Sequence, residues 1–500
     1  MPVERTNGLT AAVMLRLLGV VYLLAVLSLW VQIDGLIGSR GILPVADFLA
    51  RVGPRLGEDA WRALPTLLWL GPTDAALHAL CAIGAALALL LVAGLVPTLA
   101  LAGLWLVYLS LTVAGQDFLG FQWDNLLLEV GFLAVFLVRP CWRLGGGGTV
   151  VPSRLVTWLL RWLVARLMLG SGLVKLASGD PAWWPDLTAL AYHYETTCLP
   201  VWTGWYAHHA PLWVHRGACL LVLASELVVP LFVFGPRRLR IAAFWVFVAQ
   251  QAGIAATGSY GFFNLLTVVL CLALLDDDAW PARWRPARAP APAAAPRSRA
   301  RAARLWTWGV GAPVGVAVLV LGLVATLAQA DRALRRFGGG LEIAWPAPVA
   351  GLAAAAAPFR SVNGYGLFAR MTKRRPEIVV EGSDDGVAWR AYAFRWKPGD
   401  VDRRPRFVAP HQPRLDWQMW FAALGSARTT PWFAAFLDRL LEGSPPVRAL
   451  LAAGPFEVAP PRFVRAVVYD YRFTAPDGGG DWWRREPLGL YAPPRRLPGA

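Results

Sequence analysis

The feature that most constrains this chain is a series of apolar stretches, each about as long as a membrane-spanning helix. A helix needs about 20 apolar residues to cross the hydrocarbon core of a bilayer. Of the 500 residues, 56% are hydrophobic and only 16% are charged, whereas a soluble chain carries about 25% charged residues. We predict an α-helical polytopic bundle of nine spans, near residues 11–33, 75–95, 97–115, 121–139, 154–176, 212–234, 239–257, 260–275 and 305–328.

The segment between the last two spans predicts the orientation of the bundle. Residues 276–304 contain seven arginines among many Ala and Pro residues, a composition typical of a disordered basic linker. In an alternating bundle this linker shares a side with the arginine-rich connections 139–154 and 237–240, and that side is cytoplasmic by the positive-inside rule. Four arginines in the loop 34–74 weigh against this orientation. The segments predicted to be exoplasmic are 34–74, 116–120, 177–211, 258–260 and the C-terminal domain 338–500.

The C-terminal domain has the alternation typical of β-strands. Residues 377–381 predict a short strand, and the Asp-Gly turn at 383–386 favours a hairpin with the alternating run 392–396. Residues 463–473 alternate again. Two helices are predicted between these strands, one through Trp417 to Leu424 and one beginning at Pro431 after Thr430. We predict an antiparallel sandwich with helical insertions.

Charge and cysteine content exclude some functions. The net charge of +16 could indicate nucleic-acid binding, but the arginines lie beside apolar runs or among acidic residues, so we predict no nucleic-acid partner. The five cysteines all precede the C-terminal domain, which therefore has no internal disulfide. No metal-ligand spacing, G-x-S-x-G motif, P-loop or dinucleotide motif occurs. We predict no cofactor, no metal and no catalytic residue.

Polar residues within the predicted spans are the first candidate site, because burying an ionisable group in a membrane is costly. A structural role, in which hydrogen bonds and a Glu129–Lys175 or Glu226–Lys175 pair hold the bundle together, is the alternative. This intramembrane polar cluster comprises Gln122, Asp124, Asn125, Glu129, Lys175 and Glu226.

The predicted outer loop 177–211 contains a second candidate site. Its histidines and acids could bind zinc or transfer protons, whereas its many aromatic residues are also typical of a membrane interface. The candidate residues are Asp180, His193, Glu195 and His208.

A third group lies in the C-terminal domain and resembles a protein-recognition surface, since interfaces favour aromatic and Arg anchors. The alternative is a buried polar network in which Asp416 pairs with Arg414 or Arg403. The candidate client-binding residues are His411, Arg414, Asp416, Trp417 and Trp420.

Several long motifs resemble the lipase maturation factor family. They are rich in Trp, His and Asp and cover nearly the whole chain. The stretches that carry the resemblance are Gly170–Lys175, Ala191–Thr196, Trp205–His208, Val362–Thr372, Arg375–Trp389, Phe394–Leu424, Trp482–Arg485 and Gly489–Tyr491.

The resemblance implies a membrane protein whose exoplasmic C-terminal domain helps secreted lipases to fold and assemble. In the eukaryotic family the location is the endoplasmic reticulum membrane. The Ala, Arg, Gly and Pro bias here is typical of a bacterial gene, for which the cytoplasmic membrane would be the equivalent. Residues 121–129 also weakly resemble the helix bundle of vitamin K-dependent carboxylases, so a membrane enzyme acting on a lipid or exported substrate is the alternative function. A transporter is less favoured, because no inverted repeat is evident.

Overall fold

Six helices are long and apolar enough to cross a membrane. The computed structural model describes residues 7–144, 150–285, 309, 311–336, 339–340, 345–452, 454–456, 458–476 and 479–497. Within these ranges the six helices are Gly8–Trp30, Asp74–Ala93, Pro97–Ala114, Leu212–Phe232, Arg237–Thr257 and Ala312–Arg335. The chain is therefore a multi-pass membrane protein; the nine predicted spans are not confirmed, since six helices among the described residues meet these requirements of length and composition.

The other three predicted spans are also helical but differ in length or polarity. Residues 121–139 form the helix Gln122–Val135, whose 14 residues extend only about 21 Å. Residues 260–275 form the nine-residue helix Phe263–Cys271 and a 3₁₀ turn. The helix Arg154–Ser178 has 25 residues, but it contains four charged side chains, Arg154, Arg161, Arg166 and Lys175. Most of the predicted linker, and the start of the span 305–328, lie outside the described residues.

Shorter helices connect and cover the spans. Local signals fix several helix ends: the Thr73 hydroxyl accepts a hydrogen bond from the Ala76 N–H at 3.2 Å, and Gly94 ends the same helix in a left-handed conformation with φ of 76°. The shorter helices are Ile33–Ile37, Val45–Leu56, Ala60–Ala63, Ala189–Thr196, Trp202–His208, Ala347–Ala356, Arg414–Ala423, Pro431–Leu441 and Pro445–Arg448.

The C-terminal domain contains one antiparallel sheet of four strands in the order β2-β1-β3-β4. Its strands are β1 (Arg375–Ser383), β2 (Arg390–Ala391), β3 (Phe463–Phe473) and β4 (Trp483–Arg495). Strand β3 is central and pairs Val467 with Val379 of β1 and with Leu490 of β4. The predicted hairpin after 383–386 is present, but β2 has only two residues.

Helices, rather than a second sheet, cover this sheet. The helix Arg414–Ala423 packs on β1 and the helix Pro431–Leu441 packs on β3. The predicted sandwich is therefore wrong for the described residues, which form a single sheet. Tyr392 and Phe394 are buried in an irregular segment, where Phe394 packs on Phe436 and Tyr392 on Phe456. Both predicted helices and the strand 463–473 are confirmed.

The C-terminal domain is docked on one end of the helical bundle. A single buried apolar core runs from Leu15 of the first helix to Phe436 of the C-terminal domain. Each of the four loops predicted to share a side contacts this domain: Ile33–Ile37 packs on Pro445–Arg448, and the three other loops meet the domain at Asp117, Thr196 and Ser259. The bundle and the domain thus form one folded body.

Candidate functional site

A cavity of about 430 Å³ lies where the bundle, the outer loop and the C-terminal domain meet, and we call it the junction cavity. Its size is within the range of small-molecule sites, roughly 300–1,000 Å³. Aromatic side chains and backbone form most of its wall. The lining residues are Gly120, Phe121, Gln122, Trp123, His193, Thr196, Thr197, Cys198, Tyr260, residues 366–372, Trp417, Trp420, Phe421 and Leu424.

The aromatic wall is closely packed across the junction. Trp123 of the bundle meets Trp417 of the C-terminal domain edge-on, with ring centroids 4.7 Å apart, and stacks on Phe121 at 4.7 Å. On the opposite side, His193 meets Phe368 edge-on at 4.8 Å. Phe421 and Leu424 remain exposed at the rim. Such a wall binds apolar groups and excludes water.

His193 is one of the titratable groups that line this cavity. Its Nε2 lies 3.0 Å from the Tyr260 hydroxyl, which lies 2.8 Å from the Thr197 hydroxyl. Burial, and secondarily the charge of Lys175, lower the pKa of His193 to about 4, whereas burial raises the pKa of Tyr260. Both side chains are therefore neutral at pH 7, and they extend a hydrogen-bonding chain rather than form an activated acid–base pair.

An ion pair beneath the cavity joins the two halves of the protein. Arg414 donates to both carboxylate oxygens of Asp124, at 2.6 Å and 2.8 Å, and the Tyr108 hydroxyl donates to the same carboxylate at 2.6 Å. Asp124 and Arg414 are completely buried. The predicted pairing of Arg414 with Asp416 is wrong. Asp416 instead accepts the backbone N–H groups of residues 396 and 397 at 2.9 Å and 2.8 Å.

The other candidate client-binding residues are likewise engaged at this junction. His411 Nδ1 lies 2.9 Å from the Ser28 hydroxyl of the first helix, and burial lowers its pKa to about 4. Trp417 is only 2% exposed, and Trp420 donates its indole N–H to the Thr196 carbonyl at 3.0 Å. The buried polar network, rather than the recognition surface, therefore describes their surroundings.

Glu129 organises a second junction network. One carboxylate oxygen pairs with Arg166, and the other accepts the Asn363 backbone N–H at 2.9 Å and the Tyr365 hydroxyl at 2.6 Å. Nearby, Gln122 exchanges two hydrogen bonds with the backbone of Gly366, at 2.8 Å and 3.0 Å. These contacts hold the segment that enters the C-terminal domain.

The remaining ionisable residues of the predicted intramembrane cluster pair within the bundle. Lys175 donates to Glu226 at 2.7 Å, and Gln250 donates to the other oxygen of the same carboxylate at 3.3 Å. The Glu226–Lys175 alternative is thus confirmed, whereas Glu129 takes Arg166 instead of Lys175. Asn125 bonds to Asn363 through its carbonyl at 3.3 Å.

The predicted outer-loop residues do not converge on one centre. Asp180 accepts the Met371 N–H at 2.7 Å, and Glu195 accepts the Phe473 N–H at 2.7 Å. His208 packs on Phe473 with ring centroids 5.4 Å apart. In the part of the chain that the structure describes, no group of three or more His, Cys, Asp or Glu side chains could hold a metal ion.

A further buried charged cluster was missed by the sequence analysis. Arg375 donates to the carbonyls of Glu195 and Cys198 at 2.9 Å and 3.1 Å, and it pairs with Glu377 at 2.6 Å. Lys397 pairs with the same carboxylate at 2.8 Å. No pattern in the sequence distinguishes Arg375 from the many other arginines, so its role could not be predicted. Arg166 could have been found, because it lies at the centre of a predicted span.

The structure thus brings members of all three predicted groups to the junction cavity, namely Gln122, His193, Trp417 and Trp420. Asp124 and Arg414 lie beneath it. Lys175, Glu226, Asp180 and Glu195 belong to separate contacts, and none of them lines the cavity. The site is a junction between domains rather than three independent centres.

These observations define a multi-pass membrane protein whose C-terminal sheet domain is docked on the bundle through a buried ion pair and a network of hydrogen bonds. Two family models match the chain, the Lipase maturation factor transmembrane domain over residues 9–282 and the Lipase maturation factor C-terminal domain over residues 361–493. The chain belongs to the lipase maturation factor family, which confirms the resemblance of its motifs.

Known relatives are similar over most of their length. Lipase maturation factor 2 of Gallus gallus is 39% identical over 95% of this chain and 80% of the relative. Lipase maturation factor 2 of Homo sapiens is 38% identical over 93% of this chain and 80% of the relative. Lipase maturation factor 1 of Bos taurus is 36% identical over 98% of this chain and 89% of the relative. No solved structure matches the chain.

Proposed function

We propose that this protein is a membrane-embedded maturation factor for secreted lipases. The observation that carries the proposal is the match of both family models, which together include the bundle and the C-terminal domain, to relatives that are named lipase maturation factors. The junction geometry supports it, because a factor that assists folding needs a stable surface rather than an activated nucleophile. A secreted lipase would be the client.

We further propose that the C-terminal domain faces the exoplasmic side. The support is electrostatic: Arg237 and Arg240 pair with Asp276 at the end of the bundle that carries the basic connections, and the C-terminal domain is docked against the other set of loops. Positive residues favour the cytoplasmic side. In a bacterial cell the membrane would be the cytoplasmic membrane, and in eukaryotic relatives it would be the endoplasmic reticulum.

The five candidate client-binding residues have a different role in this proposal. Because Arg414, Trp417 and Trp420 are buried, they would act by fixing the domain on the bundle, and His411 would assist through Ser28. Asp416 would hold the start of its helix within the domain. A client would then contact exposed parts of the domain, where apolar side chains such as Leu488 and Leu490 of β4 remain 48% and 58% exposed.

The test is a deletion strain that expresses a secreted lipase together with an unrelated secreted hydrolase. We expect the amount of active lipase per secreted lipase molecule to fall, to recover with the full chain, and to leave the hydrolase unchanged. Equal specific activity of the lipase with and without the protein would contradict the proposal. The full chain is required, since the isolated domain 338–500 would expose the apolar face that is buried at the junction.

The membrane-enzyme alternative would use polar residues of the bundle. Each of its ionisable candidates, Asp124, Glu129, Lys175 and Glu226, is buried in an ion pair. Such pairing is expected of residues that stabilise a helix bundle, although an enzyme can also use it. A Glu129→Gln variant that keeps its abundance but loses all function would favour the enzyme.

A further inference from the structure

A short helix between the last span and the sheet is apolar on every side, yet it is not buried. In Ala347–Ala356, and in the 3₁₀ turn that continues it to Phe359, every residue is Ala, Gly, Pro, Val, Leu or Phe. None of these residues is buried, and seven of the ten in the helix are exposed. A helix that is hydrophobic all round needs an apolar environment, so an apolar partner must cover this one.

Contacts place the far end of this helix at the level of the middle of the bundle. Phe359 stacks on Trp105 with ring centroids 6.4 Å apart, and Trp105 is the ninth of the 18 residues in its span. Soon afterwards the Asn363 carbonyl accepts a hydrogen bond from Arg166 at 3.1 Å. Arg166 is the central residue of the 25-residue helix Arg154–Ser178. Two neighbouring helices therefore give the same depth.

The near end of the helix lies close to the end of the last span. Arg335, which is about half exposed, ends that span, and the Gly339 N–H still bonds to the Leu334 carbonyl at 3.0 Å. Trp345 follows six residues later, and Trp is enriched where a membrane meets water. The ten residues of the helix extend about 15 Å, half of the roughly 30 Å hydrocarbon core. The helix is thus long enough to reach the middle of a bilayer but too short to cross it.

The irregular chain that follows the helix also meets the requirements of membrane depth. In a bilayer core, backbone outside a helix is tolerated only where the protein satisfies its polar groups. Glu129 accepts the Asn363 N–H at 2.9 Å, and Arg166 donates to the carbonyl of the same residue. Gln329 of the last span donates to the Tyr365 carbonyl. The buried Glu129–Arg166 pair therefore supplies the partners that this backbone would lack in lipid.

We propose that residues 345–365 form a re-entrant segment that is embedded in the lipid leaflet on the side of the C-terminal domain. The helix descends beside the last span, which it contacts, and the chain returns along Glu129 to Gln122. Its partner is the hydrocarbon of the bilayer, because its exposed face continues the lipid-facing surface of the spans, where Leu106 and Leu323 are 41% and 44% exposed. The segment is independent of the proposed action on lipases and of which side of the membrane the domain faces.

Spin labels at three leucines of similar exposure test the depth of the segment. Leu352 of the helix is 40% exposed, Leu323 of the last span 44% and Leu488 of β4 48%. Among the described cysteines Cys141 is the exposed one, so each leucine is replaced by Cys in a full chain that carries Cys141→Ser. The proteins are reconstituted in phosphatidylcholine vesicles, and collisions of the label with oxygen and with a water-soluble nickel complex are measured.

We expect the label at Leu352 to behave like that at Leu323, with frequent oxygen collisions and loss of nickel collisions, whereas the label at Leu488 meets the nickel complex. Equal nickel collisions at Leu352 and Leu488 would overturn the proposal. Shielding of Leu352 from both reagents would also overturn it, because a second copy of the chain or another protein would then cover the helix.

A charged substitution tests the same face without a label. Ala354→Asp places a carboxylate on the exposed side of the helix, so the melting temperature in the same vesicles should fall by several degrees, because an acidic group in hydrocarbon is costly. Ala434→Asp, at an exposed position of helix Pro431–Leu441, is the matched control and should melt as the wild type does. Equal melting of the two variants would contradict a lipid environment for Ala354.

The unmodified chain protects the test against variants that fail to fold. A phosphatidylcholine with a diazirine midway along its acyl chain should label residues 347–359 as well as the last span. Labelling of the span with none in residues 347–359 would overturn the proposal.

Discussion

Two buried ion pairs in this protein each join a carboxylate to a basic side chain, but they connect different parts of the molecule. The Asp124–Arg414 pair connects the bundle to the C-terminal domain at 2.6 Å, whereas the Lys175–Glu226 pair connects two helices of the bundle at 2.7 Å. All four side chains are at most 8% exposed. We call them the junction pair and the bundle pair. Similar burial therefore serves docking in one place and helix packing in the other.

The difference lies in what else each pair holds. Asp124 also accepts the Tyr108 hydroxyl, and the backbone N–H of Arg414 bonds to Gln32 at 2.8 Å. The junction pair and the Gln32 contact thus fix the start of helix Arg414–Ala423 against helix Gln122–Val135 and the connection that follows the first helix. The bundle pair has Gln250 as an additional neighbour within the bundle. Loss of the first should release the domain, and loss of the second should only loosen helices.

The largest effect is expected from Arg414→Met. It leaves Asp124 buried without its cation, a change that costs about 3–5 kcal/mol when one partner of a buried pair is removed. The melting temperature in detergent should fall, and protease should cut between residues 345 and 375 in intact membranes. Arg390→Met is the control, because the Arg390–Asp384 pair is more than half exposed and should matter by at most about 1 kcal/mol. Equal effects of the two substitutions would refute the role of the junction pair.

Acid should lower the free energy of unfolding by somewhat less than the Arg414→Met substitution does. His193 has a pKa of about 4 in the folded protein against about 6.5 when unfolded. The unfolded state therefore binds a proton first as pH falls, and the stability present above pH 6.5 is lost as pH falls toward 4. The expected loss is about 3 kcal/mol. Thermal unfolding between pH 7 and pH 4 measures it.

His193→Asn is the matched variant for this acid effect. It should flatten the pH dependence between pH 6.5 and pH 4, since asparagine does not titrate there. The buried carboxylates contribute to acid unfolding in both proteins, so the difference between the two curves is the relevant quantity. Parallel curves would show that His193 does not titrate as its surroundings indicate.

The two pairs also show how far sequence can predict such a structure. The membrane character and the helices at 414–423 and 431–441 follow from local signals, namely apolar length and helical spacing. Intramembrane charge identified Lys175 as paired but left Glu129 and Glu226 open as its partner. Arg414 carries no local signal for Asp124, which is 290 residues away. Long-range partners depend on how the domain docks, and apolar periodicity does not contain that information.

The sandwich prediction failed for a related reason. Alternation of Tyr392, Phe394 and Trp396 is typical of a strand, yet these residues follow a two-residue strand in an irregular segment, where Tyr392 packs on Phe456 and Phe394 on Phe436. Alternation reports that every second side chain is buried but does not report what buries it. The nine spans are not confirmed, because a short helix such as Gln122–Val135, buried within the protein, has an apolar composition like that of a span.

Lys175→Met should lower the stability by an intermediate amount. Unlike Arg414→Met, it should not expose the chain to protease between residues 345 and 375. It removes the cation beside Glu226, but Gln250 remains and the carboxyl can take up a proton, so we expect a loss of about 1–3 kcal/mol. The cleavage pattern between residues 345 and 375 should stay that of the wild type. Release of the C-terminal domain by this substitution would show that bundle packing and docking are not separable.

The smallest effect is expected from Trp420→Phe, which tests a single neutral hydrogen bond at the junction. Its indole N–H donates to the Thr196 carbonyl at 3.0 Å. Loss of this hydrogen bond should lower the free energy of unfolding by about 1 kcal/mol, in addition to the effect of the smaller phenylalanine ring. Trp417→Phe is the matched control on the same helix, since its N–H has no acceptor among the residues that the structure describes. Thermal unfolding should therefore rank Trp420→Phe below Trp417→Phe in stability, with the outer loop near Thr196 becoming more accessible to protease only in the former. The reverse ranking would mean that the aromatic packing of Trp417, rather than the bond from Trp420, holds the outer loop against the C-terminal domain.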